Sequence, residues 1–179
     1  MIHLRELRET DAKNMIEWML DPQTKRSFMK DMSKFTLEDA RRFCRDAIKA
    51  KDNIHNRSIH MAIVDEDDEY LGTISLKNID CINQSAEFAI ALREKARGKG
   101  VGAKAAEQLL AMGFREMGLH RIYLTVFADN EAAIRLYEKI GFTMEGELRE
   151  HIYRDGEYVS WRIYGILDNE YKQICRSKG

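Results

Sequence analysis

A single proline, Pro22, interrupts the 179 residues, and only three cysteines occur, Cys44, Cys81 and Cys175. An odd, widely spaced set of thiols makes no disulfide framework and points to a reducing compartment, so the cytoplasm is expected. None sits beside a His at zinc-ligand spacing, and no metal site is expected. Neither sign of charge dominates: 29 Lys and Arg against 30 Asp and Glu give a net charge of −1. That balance exerts no global pull on nucleic acid or anionic membrane, and neither is expected as a partner. No apolar run is long enough to span a bilayer, and no basic-then-apolar segment opens the chain. Repeats, low-complexity tracts and linkers are also missing, so one domain over residues 1–179 is expected, long enough for a sizeable core.

What the chain has is a glycine-rich turn, Arg97-Gly98-Lys99-Gly100-Val101-Gly102, between a strand and a helix. Before it, residues 86–92 alternate, with Phe88, Ile90 and Leu92 on one face and Glu87, Ala89 and Ala91 on the other. After it, Leu109, Leu110, Met112 and Met117 recur at helical spacing and Gly118 supplies a stop. A strand end joined to a helix start by glycines presents unpaired backbone N–H groups and the positive end of the helix dipole together. Glycine lets the backbone approach a ligand closely. With the charges of Arg97 and Lys99, the turn reads as an anion cradle suited to a diphosphate. A nucleotide-binding Walker loop requires Lys-Ser/Thr after its last glycine, whereas Gly102 is followed by Ala103 and Lys104. The dinucleotide fingerprint is matched formally by Gly100, Gly102 and Ala105. Its strand carries Glu87, however, and its ribose-binding acid is missing near Leu119 and His120.

Downstream, residues 120–127 read as a second strand, followed by Asn130, Ala133, Ile134, Leu136, Tyr137, Gly141 and Phe142. The two motifs together resemble the GNAT superfamily of acetyl-CoA-dependent N-acetyltransferases. Its cofactor motif, Arg/Gln-x-x-Gly-x-Gly/Ala, is matched by Arg97, Gly100 and Gly102. Its later signature is matched by Val126, Asn130, Ala133, Leu136, Tyr137, Gly141 and Phe142. The likeness is strong over residues 58–165 and thin before that.

The remaining chain reads as a strand over residues 2–7, a helix from Thr10-Asp11 to Pro22, and a second helix from the capping-box-like Thr36-x-x-Asp39. Strands come next over 59–64 and 70–79, joined by the acidic turn at residues 65–68. After the two motifs come strands over 144–153 and 157–167, joined by Asp155-Gly156, and a short helical or frayed tail. This order implies an α/β chain with a central mixed sheet and helices on both faces. The GNAT resemblance adds a cofactor cleft between two splayed strands.

The resemblance also implies roles. Ile90, Ala91 and Leu92 would run beside the pantetheine arm of acetyl-CoA, with an N–H near Leu92 polarising the acetyl carbonyl. Arg97, Gly98, Lys99, Gly100, Val101, Gly102 and Ala103 would hold the diphosphate. Asn130, with Ala133 in the same motif, would bind the pantetheine. Chemistry independent of the family asks for an oxyanion donor, a base for the amine proton and an acid for the departing thiolate. Tyr137 is where the family places the acid; the alternative is a tyrosine packed on the helix's core face. Glu87 is the leading base, directly or through water; the alternative is a glutamate paired with a Lys or Arg. Tyr123, Tyr153 and Glu147 are weaker candidates, His120 reads as structural or exposed, and His55, His60 and His151 have no partner legible in the sequence.

For the acceptor, a small-molecule amine, charge offers one clue. Between Asp21 and Lys51 stand nine basic residues (Lys25, Arg26, Lys30, Lys34, Arg41, Arg42, Arg45, Lys49, Lys51) against five acids. That excess predicts an amine on a neutral or anionic carrier, such as a nucleotide-linked amino sugar, unless the charges simply solvate helix faces. The alternatives are a polyamine such as spermidine, favoured by the resemblance of the downstream half, a ribosomal-protein N-terminus, and a non-catalytic acyl-CoA-binding module. Relatives that pair through C-terminal strands make a homodimer an open expectation.

Overall fold

The computed structural model describes residues 1–25, 27–28, 31–50, 52 and 57–177. Alternating apolar segments pair into a seven-stranded sheet in the order β1-β2-β3-β4-β5-β7-β6. The strands are β1 (His3–Glu6), β2 (Ile59–Val64), β3 (Tyr70–Asp80), β4 (Ser85–Leu92), β5 (Arg121–Phe127), β6 (Thr143–Arg154) and β7 (Glu157–Leu167). Every pairing is antiparallel except β4 with β5. Asp155 and Gly156 close the β6–β7 hairpin with φ of 52° and 91°, the left-handed pair that suits the twist of a two-residue hairpin.

Helices cover both faces. α1 (Ala12–Leu20) and α3 (Leu37–Ala50) bury Met15, Trp18, Ala40 and Cys44 against Ala62, Tyr70 and Ala91. The opposite face packs Ile74, Leu76, Phe88 and Leu124 under α4 (Val101–Ala111) and α5 (Glu131–Ile140). The capping box at the start of α3 forms as expected: Thr36 Oγ1 accepts from Asp39 N at 3.3 Å and Thr36 N donates to Asp39 Oδ2 at 2.8 Å.

Two features depart from the sequence expectation, and the tail settles on the helical one of its two alternatives. A four-residue helix, α2 (Pro22–Lys25), comes after α1. The helix expected to run to Met117 is regular only to Ala111 and widens into a π turn over Met112–Glu116. There Gly113 lies against β5 so closely that a Cβ would sit 2.8 Å from Ile122 Cδ1. The tail is a full helix, α6 (Asp168–Ser177), anchored by buried Tyr171 stacked on Phe114 at 4.9 Å.

His60 has partners the sequence did not reveal. Its Nδ1 lies 2.8 Å from Ser75 Oγ, and Phe43 meets its ring edge-on at 5.3 Å. Burial first, and the nearby Lys77 ammonium second, push the imidazole down to about 4. The folded protein therefore holds the ring neutral while the unfolded chain protonates it near pH 6.5. The stability this ring contributes is complete above about pH 6.5 and is lost as pH falls toward 4, by at most about 3 kcal/mol. Urea denaturation at both pH values tests this: His60→Asn should flatten that part of the pH slope, and an unchanged slope would refute it.

Candidate active site

The sheet is split at its centre. β4 and β5 pair over only three rungs, Ser85 with Arg121, Ala86 with Ile122 and Glu87 with Tyr123, yet β4 runs on to Leu92 and β5 to Phe127. Beyond Glu87, β4 is bonded to β3 alone. Arg93 N donates to Leu71 O at 2.9 Å. Antiparallel alternation then turns the backbone groups of Ala91 and Ala89 toward β3, and those of Leu92, Ile90 and Phe88 into the split. Buried peptide groups without partners are costly, so this margin is built to receive a ligand that can hydrogen-bond.

The glycine turn closes the same end of the split. Gly98 and Gly100 adopt φ of 70° and 76°, the left-handed region that other residues enter at a cost. Lys104 N makes a helical bond to Gly100 O at 3.2 Å. The N–H groups of Val101, Gly102 and Ala103 therefore precede the first helical bond and stay free for an anion. Gly102 is buried where a Cβ would come within 3.3 Å of Leu92 Cδ1 and of Leu136 Cδ2. Lys99 and Lys104 are exposed beside this turn.

Arg97 does not point to the cradle. Its Nε and Nη2 donate to Leu92 O at 3.1 and 2.9 Å, and the guanidinium is also bound by Asp21, Gln23 and Thr24. The side chain thus covers a strand-end carbonyl, and the exposed cations beside the turn are Lys99 and Lys104. Asn130 is likewise committed. Its Oδ1 accepts from Ala133 N at 3.3 Å, capping α5, and its Nδ2 donates to Ser27 Oγ at 3.0 Å. The N-cap role is one its place before Glu131 could have suggested, and the side-chain amide keeps one N–H and one lone pair beyond these two bonds.

Tyr137 lies in α5 under the split, 8% exposed, with its ring 5.9 Å from Phe88 and 6.1 Å from Phe142. Burial pushes its phenol up to about 12. Its hydroxyl makes no hydrogen bond among the described residues, which leaves it available. Glu87 stands on the other face of β4, with Ala89 and Ala91. Its carboxylate accepts from Lys77 Nζ and from Asn78 Nδ2, both at 2.9 Å. The pairing anticipated as the alternative to a base is therefore present, although the group remains at the mouth of the split, 21% exposed. Tyr123 pairs with Glu87 in register; burial and the Glu87 charge both raise its phenol. A protonated phenol on one face and a carboxylate on the other thus flank a gap through the sheet.

The weaker candidates lie elsewhere. Glu147 is bound to Arg162 at 2.9 Å, Tyr153 is an exposed hairpin residue 5.1 Å from Tyr158, and His151 stacks on Trp161 at 5.6 Å. His120 is exposed just before β5, as expected; His55 lies outside the described residues. No cluster of metal-ligating side chains occurs among the described residues, and none of the described helices is long and apolar enough to cross a membrane.

Comparison with known proteins identifies this arrangement. The acetyltransferase (GNAT) domain family matches residues 2–143. The chain is 36% identical to the spermidine N(1)-acetyltransferase of Escherichia coli K12 over 127 residues, 71% of this chain and 68% of that protein. It is 32% identical to the spermidine N(1)-acetyltransferase of Vibrio cholerae over 126 residues, 67% and 73% of the two chains. The fold resembles the crystal structure of spermidine N-acetyltransferase from Vibrio cholerae in complex with CoA and spermine, with a TM-score of 0.82, 27% identity, and 96% and 98% of the chains covered. The ribosomal L7/L12 alpha-N-protein acetyltransferase in complex with coenzyme A also reaches 0.82, at 20% identity, a likeness of fold. A sheet opened at its centre beside a glycine turn finds its explanation in these relatives: the chain belongs to the GNAT family and is an acetyl-CoA-dependent N-acetyltransferase.

Proposed function

We propose that the acceptor is a primary amine of a spermidine-like polyamine. The observation that carries this reading is the likeness to two spermidine acetyltransferases over about two thirds of the chain or more. The charge argument for a nucleotide-linked amino sugar has lost its footing. Arg41 pairs with Glu38 at 3.7 Å, Arg42 with Asp39 at 2.5 Å, and Arg45 with both Glu9 and Glu38 at 2.9 and 2.6 Å. Arg26, Lys30, Lys51 and the side chain of Lys25 lie outside the described residues. Three of the nine basic residues counted there are thus held in helix-surface ion pairs, one of them with Glu9 outside the counted segment, so a cationic acceptor meets less opposition from them.

Bound acetyl-CoA would supply an activated thioester carbon, which the amine nitrogen attacks as the C–S bond breaks and coenzyme A leaves as a thiolate that solvent water then protonates. The amides of Val101, Gly102 and Ala103 hold its diphosphate, and the inward backbone groups of Ile90 and Leu92 orient the arm and donate to the developing oxyanion. Tyr137 keeps its proton at neutral pH. Against a reference thiol near 8.5, full transfer from a phenol near 12 is uphill. The hydroxyl therefore acts by donating a hydrogen bond to the departing sulfur as charge accumulates there. Glu87 attracts the ammonium of the acceptor and, with water, removes its proton; Lys77 must yield its place for that.

Turnover of acetyl-CoA should be at least about tenfold more efficient with spermidine than with a nucleotide-linked amino sugar or a ribosomal-protein N-terminal peptide, a difference of about 1.4 kcal/mol in transition-state binding. Faster turnover of either competitor would transfer the assignment to that acceptor class.

A further inference from the structure

The short stretch around α2 reaches the chain at the far ends of both diverging strands. On the β4 side, Arg97 covers Leu92 O and is held from behind by Asp21 Oδ2 at 2.5 Å, Thr24 Oγ1 at 2.9 Å and Gln23 Oε1 at 2.9 Å. On the β5 side, Asn130 N donates to Phe127 O at 3.0 Å, and Asn130 Nδ2 donates to Ser27 Oγ at 3.0 Å. The two ends are joined through α2. Thr24 donates to Asp21 Oδ2 from N at 3.1 Å and from Oγ1 at 2.9 Å; Ser27 N donates to Thr24 O at 2.8 Å and Ser27 Oγ to Gln23 O at 3.3 Å. A continuous path of hydrogen bonds therefore runs from the last residue of β4, through Arg97, Asp21, Thr24, Ser27 and Asn130, to the last residue of β5.

We propose that this path is a brace that sets the width of the open end of the split, with Asp21 as a positioning residue for acetyl-CoA. The proposal rests on the reading of the split as the coenzyme cleft. Beyond Tyr123 the two strands share no rung, so nothing within the sheet fixes their separation there. A ligand gripped by both lips loses affinity if it must first restrain them, and a preset spacing removes that cost. Asp21 is the junction of the brace. Burial raises its carboxyl, but the hydrogen bonds from Arg97 and Thr24 outweigh that and hold it below the usual carboxylate range. It therefore stays charged across the working pH. Because α2 directly succeeds α1, the brace also ties the segment before α3 to the coenzyme cleft.

The test is calorimetric titration of CoA into the full chain. Asp21→Asn preserves shape and removes the charge that holds Arg97; it should weaken CoA binding about tenfold, as loss of one charge-assisted bond would. Ser27→Ala, at the other end, should weaken it about threefold. Asp21→Glu should recover most of the loss, the KM for the amine should hold within about twofold, and the melting temperature should move by no more than about 2 °C. Wild-type affinity in Asp21→Asn, with binding lost in Gly102→Val, overturns the brace and leaves the cleft standing. Wild-type affinity in both overturns the cleft and the brace with it. Loss of affinity that tracks a fall in melting temperature and is not restored by Asp21→Glu assigns Asp21 to stability alone and overturns its positioning role.

Discussion

Tyr137→Phe is expected to lower kcat about a hundredfold while leaving the affinity for CoA within about twofold. The substitution removes one oxygen and keeps the ring that meets Phe88 edge-on and packs on Phe142, so the helix and the wall of the cleft stay as they are. What disappears is the hydroxyl proposed as the donor to the leaving sulfur. An interaction made chiefly in the transition state shows up in kcat and not in ground-state binding. If instead kcat is unchanged, Tyr137 is a packing residue and the departing sulfur is stabilised by other donors. A joint fall in kcat and CoA affinity would place the phenol in binding.

The second large effect is expected at Gly102, where valine should weaken CoA binding about a hundredfold or more and lower stability by about 1–3 kcal/mol. A Cβ alone would come within 3.3 Å of Leu92 Cδ1 and Leu136 Cδ2, which a few tenths of an ångström of movement can relieve. Alanine should therefore be mild. The branched methyls of valine must either push Leu92 and Leu136 apart, tilting the first turn of α4, or project across its free N–H groups. Either outcome would spoil the proposed anion site, whose donors at this turn are backbone amides. Calorimetry with CoA and thermal melting together check this, and retained affinity in the valine variant would remove the first turn of α4 from the binding site.

Much of this architecture was readable from periodicity. The alternation of Phe88, Ile90 and Leu92 against Glu87, Ala89 and Ala91 separated the two faces of β4; the structure turns the first toward α4 and α5, which puts Tyr137 opposite Glu87. The glycines marked the strand-to-helix turn because left-handed backbone and close approach leave few other residue types. The unread features share a cause, dependence on distant or very local geometry. Arg97 looked like a free cation because Asp21, 76 residues away, is invisible to any local pattern. α2 has four residues, too few for helical periodicity to register. The π turn after Ala111 adds no compositional mark to a helix already apolar on one side. Whether the tail would be helical or frayed was left open because its anchor, Tyr171 on Phe114, bridges elements far apart in sequence. Pairing within α3, in contrast, could have been suspected from Glu38 and Arg41 at three-residue spacing.

The three-rung pairing of β4 with β5 has a consequence for the fold as a whole. Residues 88–92 form an edge that lies inside the sheet, with a strand on one flank and, among the described residues, none on the other. Edges on the outside of a sheet invite foreign strands and are guarded by charge or bulges; this one is guarded by concealment and by Arg97 at its end. Pantetheine carries two amides and is in effect a short stretch of peptide, so a coenzyme bound in the split as proposed would add an eighth strand to the seven described. The ladder is then finished by a metabolite, and the folded population becomes a gauge of how much of that metabolite the surroundings hold.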